Sequence, residues 1–117
     1  MSSAAVDSNA VERDVMEYDI AIVGGGPAGL AGMTLPIARE FARFGVRCVS
    51  IAPGIFHTPM MDAMSPELQA SLASQVPFPS RLGQPAEFAQ LVAAIFEIPM
   101  LNGETIRLDG AIRMQPK

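Results

Sequence analysis

The apolar residues of this chain alternate between short β-rich runs and longer stripes of helical period. Tyr18–Val23 is β-rich and runs straight into glycines, which predicts a short buried strand ending at a turn. From Ala28 onward, Leu30, Met33, Ile37, Phe41 and Phe44 step by three or four and define one face of an amphipathic helix. Pro36 lies inside that stripe, where it removes a backbone hydrogen bond and bends the helix unless it falls in the first turn. Gly45 stands where a helix ends. Val46–Ala52 is a second strand, stopped by Pro53-Gly54. Together these segments form a βαβ unit, with parallel strands and a right-handed crossover.

Further along, Ile55–Met64 reads as a loop. Ser65-Pro66-Glu67 opens a short helix, with a capping serine, a proline in the first helical position and an acid in the first turn. Val76–Ser80 is an extended break. Pro85 opens another helix, with Phe88, Leu91, Val92, Ile95 and Phe96 on one face. Asn102-Gly103 is a turn, Glu104–Leu108 a third strand, and Asp109-Gly110 a closing turn. The expected fold is α/β: a truncated, three-layer arrangement on a short parallel sheet of about three strands, near 19–23, 46–51 and 104–108.

The totals narrow the classes. A chain of 117 residues holds one domain at most, and half of it is apolar. Residues 1–16 are small and polar and read as a loose tail, leaving 17–117 for the domain. The formal charge is −4, and the one lysine is Lys117. No basic stripe exists for nucleic acid to follow. Cys48 is the sole cysteine, so no internal disulfide can form, in keeping with a reducing compartment. The sequence shows no secretory signal pattern and no apolar run of about 18 residues, so the expectation is a cytoplasmic protein with no membrane partner.

Gly24-x-Gly26-x-x-Gly29 follows a predicted strand and opens a predicted helix, which is the context a dinucleotide-binding turn requires. Gly24 permits the tight turn, Gly26 lets backbone amides approach a pyrophosphate, and Gly29 allows close helix–strand packing. The motif also calls for an acid about 20 residues further on, to hold the ribose. No Asp or Glu stands between Glu40 and Asp62. The glycines therefore admit two readings, a dinucleotide site or a strand-to-helix turn with an empty anion site. The run Asp19-Ile-Ala-Ile-Val-Gly-Gly-Gly-Pro-Ala-Gly-Leu-Ala31 resembles the FAD-binding opening of flavoproteins of the electron-transfer flavoprotein–ubiquinone oxidoreductase kind, over residues 14–31.

From Gly32 to Met114 the chain is similar to the later half of short-chain dehydrogenases/reductases, within them to the 3-hydroxyacyl-CoA dehydrogenase type 2 group. The resemblance rests on Gly32-Met-Thr-Leu-Pro-Ile-Ala-Arg39, Ile51-Ala-Pro-Gly54, Leu72–Gly83, Pro85-Ala-Glu87 and Leu101–Met114. It implies an NAD-dependent oxidoreductase in which Pro53, Gly54, Phe56 and Thr58 touch NAD. FAD, through Gly24, Gly26 and Gly29, is the alternative cofactor. Family spacing puts the proton-transferring tyrosine and its lysine at Val23 and Pro27, neither of which can move a proton. No catalytic residue is assigned. The chain then reads as a hybrid joined near Gly29–Gly32. The resemblance also implies subunit contacts through Pro85–Glu97 and Glu104–Leu108, hence a homo-oligomer or association with full-length dehydrogenase subunits.

Other candidates carry less. His57 lies in the loop after Gly54, with Asp62 near it only in sequence, and reads as an ordinary loop histidine. Cys48, among Val46, Val49 and Ile51, reads as a buried, inert thiol. Met60, Met61 and Met64 form either a ligand- or partner-facing patch or a loosely packed loop. No spacing suggests a metal site. Three functional readings remain: an oxidoreductase by descent that is inactive alone, a small dinucleotide-binding module, and a non-catalytic interaction fragment.

Overall fold

The computed structural model describes residues 19–23 and 27–113. Its elements are β1 (Asp19–Val23), α1 (Pro27–Phe41), continued by a 3-10 turn at Ala42–Phe44, β2 (Arg47–Pro53), α2 (Pro59–Asp62), α3 (Pro66–Ser74), α4 (Pro85–Glu97) and β3 (Thr105–Leu108). They divide between two compact units. The first holds residues up to Ile51 together with Ala94–Ile106; the second holds Ala52–Ala93 together with the residues from Arg107 on.

The sheet runs in the order β1-β2-β3. β1 and β2 pair in parallel, from Asp19 opposite Arg47 to Val23 opposite Ile51. On the other side of β2, the Ser50 N–H donates to Glu104 O and the Gly54 N–H to Leu108 O, each at 2.9 Å. The two positions advance together along both strands, as parallel pairing requires. Cys48, Val49, Ser50 and Ile51 are all buried, so β2 is covered on both faces, which is the usual state of a central parallel strand. The three expected strands are therefore present.

In the first unit, α1 packs on β2 through small side chains. Thr34 and Ala38 are buried, and the Thr34 hydroxyl meets the Ser50 hydroxyl in a very short contact while donating to Leu30 O at 2.7 Å. This corrects the expected helix face. Met33 and Phe44 are 51% and 57% exposed. The covered stripe lies to one side of the apolar one because a threonine and an alanine let the helix approach the sheet closely. Pro36 sits inside α1, which continues beyond it. Gly45 ends the following turn at φ 74°, where a glycine is favoured. The Arg47 guanidinium donates to Ile95 O, Ile98 O and Leu101 O at 2.9, 3.1 and 2.9 Å, satisfying carbonyls at and beyond the end of α4. The Asn102 side chain accepts from the Cys48 N–H at 2.9 Å, and the Gly103 N–H donates to Cys48 O at 2.7 Å, so the predicted turn at 102–103 also locks β2 to the start of β3.

In the second unit, the segment expected as a loop at Ile55–Met64 contains the single turn α2. Pro59 begins it, and the Met61 N–H donates to Thr58 O at 2.8 Å. Four residues are too few to show a period. Ser65 caps α3 as expected, accepting from the Leu68 N–H at 3.3 Å.

Candidate functional site

The sequence places Pro53, Gly54, Phe56 and Thr58 in one loop, and the fold gathers them around one opening. β2 ends at Pro53, the loop Ile55–Thr58 follows, and the first turns of α4 bring Pro85 and Phe88 opposite. Pro53, Gly54, Ile55, Phe56, Thr58, Pro85 and Phe88 line a pocket of about 560 Å³. That volume lies within the range of roughly 300–1,000 Å³ common for small-molecule sites. The pocket lies just past the carboxyl end of a parallel strand, where open α/β sheets bind ligands.

Three local devices set its walls. Gly54 donates its N–H to Leu108 O, and a Cβ there would lie 2.7 Å from the Asp109 Cα, so only glycine allows this approach. Gly83 holds the loop from its far side: its N–H donates to Ile55 O at 2.9 Å and its carbonyl accepts from the His57 N–H at 2.8 Å. A Cβ on Gly83 would sit 2.7 Å from the Phe56 ring. Phe56 in turn meets Phe88 edge to face, with centroids 6.2 Å apart. These contacts fix the aromatic wall. Gly83 and Phe88 are thus site residues that sequence reasoning did not place there. Phe88 was legible only as a helix-face position, and Gly83 only as part of a matched run.

Around the pocket, charges are paired. The Asp109 carboxylate, 7% exposed, accepts from Arg107 Nε at 2.8 Å, Arg113 Nη1 at 3.2 Å and the Ala111 N–H at 3.0 Å. Glu87 receives both arms of Arg81, at 2.9 and 2.7 Å, and reaches back to the Gln84 N–H at 2.8 Å, closing the start of α4. The Arg81 hydrogen bond, followed by the Gln84 amide, lowers the Glu87 carboxyl to about 2. None of the pocket-lining side chains is charged. Proline, isoleucine and two phenylalanines offer apolar surface, and the Thr58 hydroxyl is the one side-chain hydrogen-bonding group. The arrangement suits a flat, weakly polar ring.

The remaining candidates separate. Gly24 and Gly26 lie outside the described residues. Gly29 is exposed, and no described atom comes within 4 Å of the place its Cβ would take. The buried stripe of α1 lies at Thr34 and Ala38, on another side of the helix. His57 does find a carboxylate: its Nε2 lies 3.2 Å from Asp62 Oδ1, because α2 folds Asp62 back toward it. The methionines do not form one patch, since Met61 is buried while Met60 is 75% exposed. Cys48 is buried, and desolvation raises its thiol pKa. Val23 ends β1 and Pro27 begins α1. Among the described residues, no three His, Cys, Asp or Glu side chains come together as a metal site, and no helix is long and apolar enough to cross a membrane.

A short parallel sheet with a glycine-pinned loop past the end of its central strand is a truncated, Rossmann-like α/β arrangement, and the comparisons place it in a family. Residues 3–112 match the family model described as enoyl-(acyl carrier protein) reductase, and the chain belongs to the short-chain dehydrogenase/reductase family. Its relatives include the 3-hydroxyacyl-CoA dehydrogenase type-2 of Homo sapiens, 64% identical over 88 residues, covering 75% of this chain and 34% of the relative. The Drosophila melanogaster protein of the same name is 55% identical over 89 residues, covering 76% and 35%. A crystal structure of 3-hydroxyacyl-CoA dehydrogenase type-2 from Mycobacterium avium superposes with a TM-score of 0.77 at 34% identity, covering 85% of this chain and 43% of that one. The chain spans about a third of the length of these curated relatives. The family match runs through residues 14–31, and the flavoprotein likeness of that segment draws no support from it.

Proposed function

We propose that the chain carries part of the NAD site of a short-chain dehydrogenase/reductase and binds the nicotinamide end of the cofactor without turning over substrate by itself. The supporting observation is the convergence of Pro53, Gly54, Phe56 and Thr58 on one uncharged pocket with Phe88. The nicotinamide ring supplies hydride chemistry when bound. The chain's part is to hold it: Phe56 and Pro53 give apolar contact, Thr58 offers a hydroxyl to the carboxamide, and Gly54 keeps the strand end open. Val23 and Pro27 stand where the family resemblance places the tyrosine and lysine, so proton transfer lacks its groups. The substrate class carried in the relatives' names, 3-hydroxyacyl-CoA, is the one to assay. FAD drops behind NAD, since its case rested on residues 14–31. The reading keeps a cytoplasmic setting, and a further copy of the chain or a full-length dehydrogenase subunit as partner.

NADH fluorescence titration tests the reading. Saturable binding is expected, and Thr58→Val should weaken it about 2- to 12-fold, the worth of one neutral hydrogen bond of about 0.5–1.5 kcal/mol. No saturable binding by a chain that melts cooperatively would end it. Turnover of a 3-hydroxyacyl-CoA by pure protein would refute the non-catalytic half.

A further inference from the structure

In the second unit, β3 runs into a turn with a strained backbone. Gly110 and Ala111 both take positive φ, 61° and 68°. Glycine reaches that region at no steric cost, and a Cβ on Gly110 would collide with Val76 Cγ1. Alanine adopts it rarely, so its surroundings must dictate the backbone there. Three bonds do so. The Ile112 N–H donates to Asp109 O at 3.2 Å, the Ala111 N–H to Asp109 Oδ1 at 3.0 Å, and the Phe78 N–H to Gly110 O at 3.2 Å. Ile112 is buried just beyond the turn. The outcome of this bend is that Arg113 comes back beside Arg107. Arg107 Nη2 and Arg113 Nη1 then share the same two acceptors, Asp109 Oδ2 and Ile112 O, and Arg107 Nε adds a bond to that Oδ2 at 2.8 Å.

Two cations on one carboxylate leave a local surplus of positive charge, in a chain whose formal charge is −4. The Asp109 carboxylate is 7% exposed, whereas the Arg107 and Arg113 side chains are 50% and 64% exposed. The positive groups therefore meet solvent and their counter-charge lies beneath them. Arg107 Nη1 and Arg113 Nε and Nη2 have no acceptor among the described residues. We propose that Arg107 and Arg113 together bind a phosphate group, carried by a small molecule or present as the free ion. The two forks are fixed in place before a ligand arrives, which lowers the ordering cost of binding. A carboxylate has two coplanar oxygens, and one fork satisfies both. The oxygens of a phosphate point tetrahedrally, so they accept from two forks at once, and the group brings about −1.5 to −2 of charge at pH 7. Glu87 does not compete for these arginines, because it is taken up by Arg81. Neither arginine lines the pocket that ends β2, so the proposal does not rest on the reading above.

The test uses the full chain and reads the arginine Nε–H signals by NMR at constant ionic strength. Inorganic phosphate should move the Arg113 signal saturably, with a dissociation constant on the order of 1 mM. The signal of Arg43, an exposed arginine paired with Glu40, should stay in place. Arg113→Gln should weaken phosphate binding at least about 10-fold, read from the phosphorus line width, with an unchanged circular dichroism spectrum. Arg113→Lys, which keeps the charge but not the fork, should fall between the two. The titration of the wild type decides the matter even if a variant fails to fold. Adenosine monophosphate separates the sources: affinity at least equal to that of inorganic phosphate makes the ligand a phosphate ester, and binding of inorganic phosphate alone makes it the free ion. Absence of a saturable shift would overturn the proposal. So would an equal response to acetate, an Arg43 signal that moves alike, or undiminished binding by a folded Arg113→Gln chain. NADH binding that fails while phosphate behaves as described would refute the pocket alone.

Discussion

Replacing Gly83 with alanine tests how the pocket wall is held. The new Cβ would lie 2.7, 2.8 and 2.9 Å from three carbons of the Phe56 ring. Ordinary carbon contacts begin near 3.5 Å, so the ring must move by roughly 0.7 Å or the backbone must yield. Phe56 cannot swing freely, because Phe88 stands against it and the Ile55 and His57 backbones are both bonded to Gly83. Overpacking of this kind costs about 1–3 kcal/mol. Alanine at a backbone position without strain otherwise gains about 0.4–1 kcal/mol, through the unfolded chain. The two effects oppose each other, and the steric one is the larger. Gly83→Ala should therefore be destabilising by about 0.5–2.5 kcal/mol in urea melts. In a Phe56→Ala background the clash is gone, and the same change should be neutral or slightly stabilising. Equal destabilisation in both backgrounds would mean that the Gly83–Phe56 contact does not hold the wall, and the account of the loop would fail.

Other outcomes follow from the same structure. Glu87, held down to about 2 in the folded chain against an ordinary 4.5, adds stability that is fully present above about pH 4.5 and declines as the pH falls toward 2; melting temperature against pH should lose this acid limb in Glu87→Gln. Ser50→Ala leaves the buried Thr34 hydroxyl with one partner fewer and should cost about 1–3 kcal/mol, whereas Thr34→Val/Ser50→Ala should cost less than the sum of the two single changes. Cys48, buried and with its thiol pKa raised, should react with a thiol reagent only at the rate of unfolding, and fast modification of the folded chain would contradict its placement.

Much of the fold was legible because it is written in short-range pattern. The apolar runs at 19–23 and 46–52 and the turn residues at 53–54 and 102–103 located the strands, and Ser65-Pro66 and Pro85 located two helix starts. What pattern could not show was side-by-side placement. The apolar stripe of α1 is real, but the side that packs is set by Thr34 and Ala38, whose small size permits close approach and whose identity does not look like a core. α2 is a single turn and has no period to detect. His57 and Asp62 are brought together by that turn. At the pocket, the loop residues were read from a family resemblance. Gly83 and Phe88 enter only because a bridge between distant segments aligns Gly83 with Phe56.

The central claim is that the uncharged pocket at the end of β2 takes the nicotinamide ring. Saturation-transfer NMR on NADH in the presence of the full chain tests it most directly. Irradiating the protein's methyl and aromatic protons should saturate the nicotinamide ring protons more strongly than the adenine protons, and Phe56→Ala should abolish that preference. Equal transfer to both ends, transfer confined to adenine, or none from a folded chain would contradict the claim.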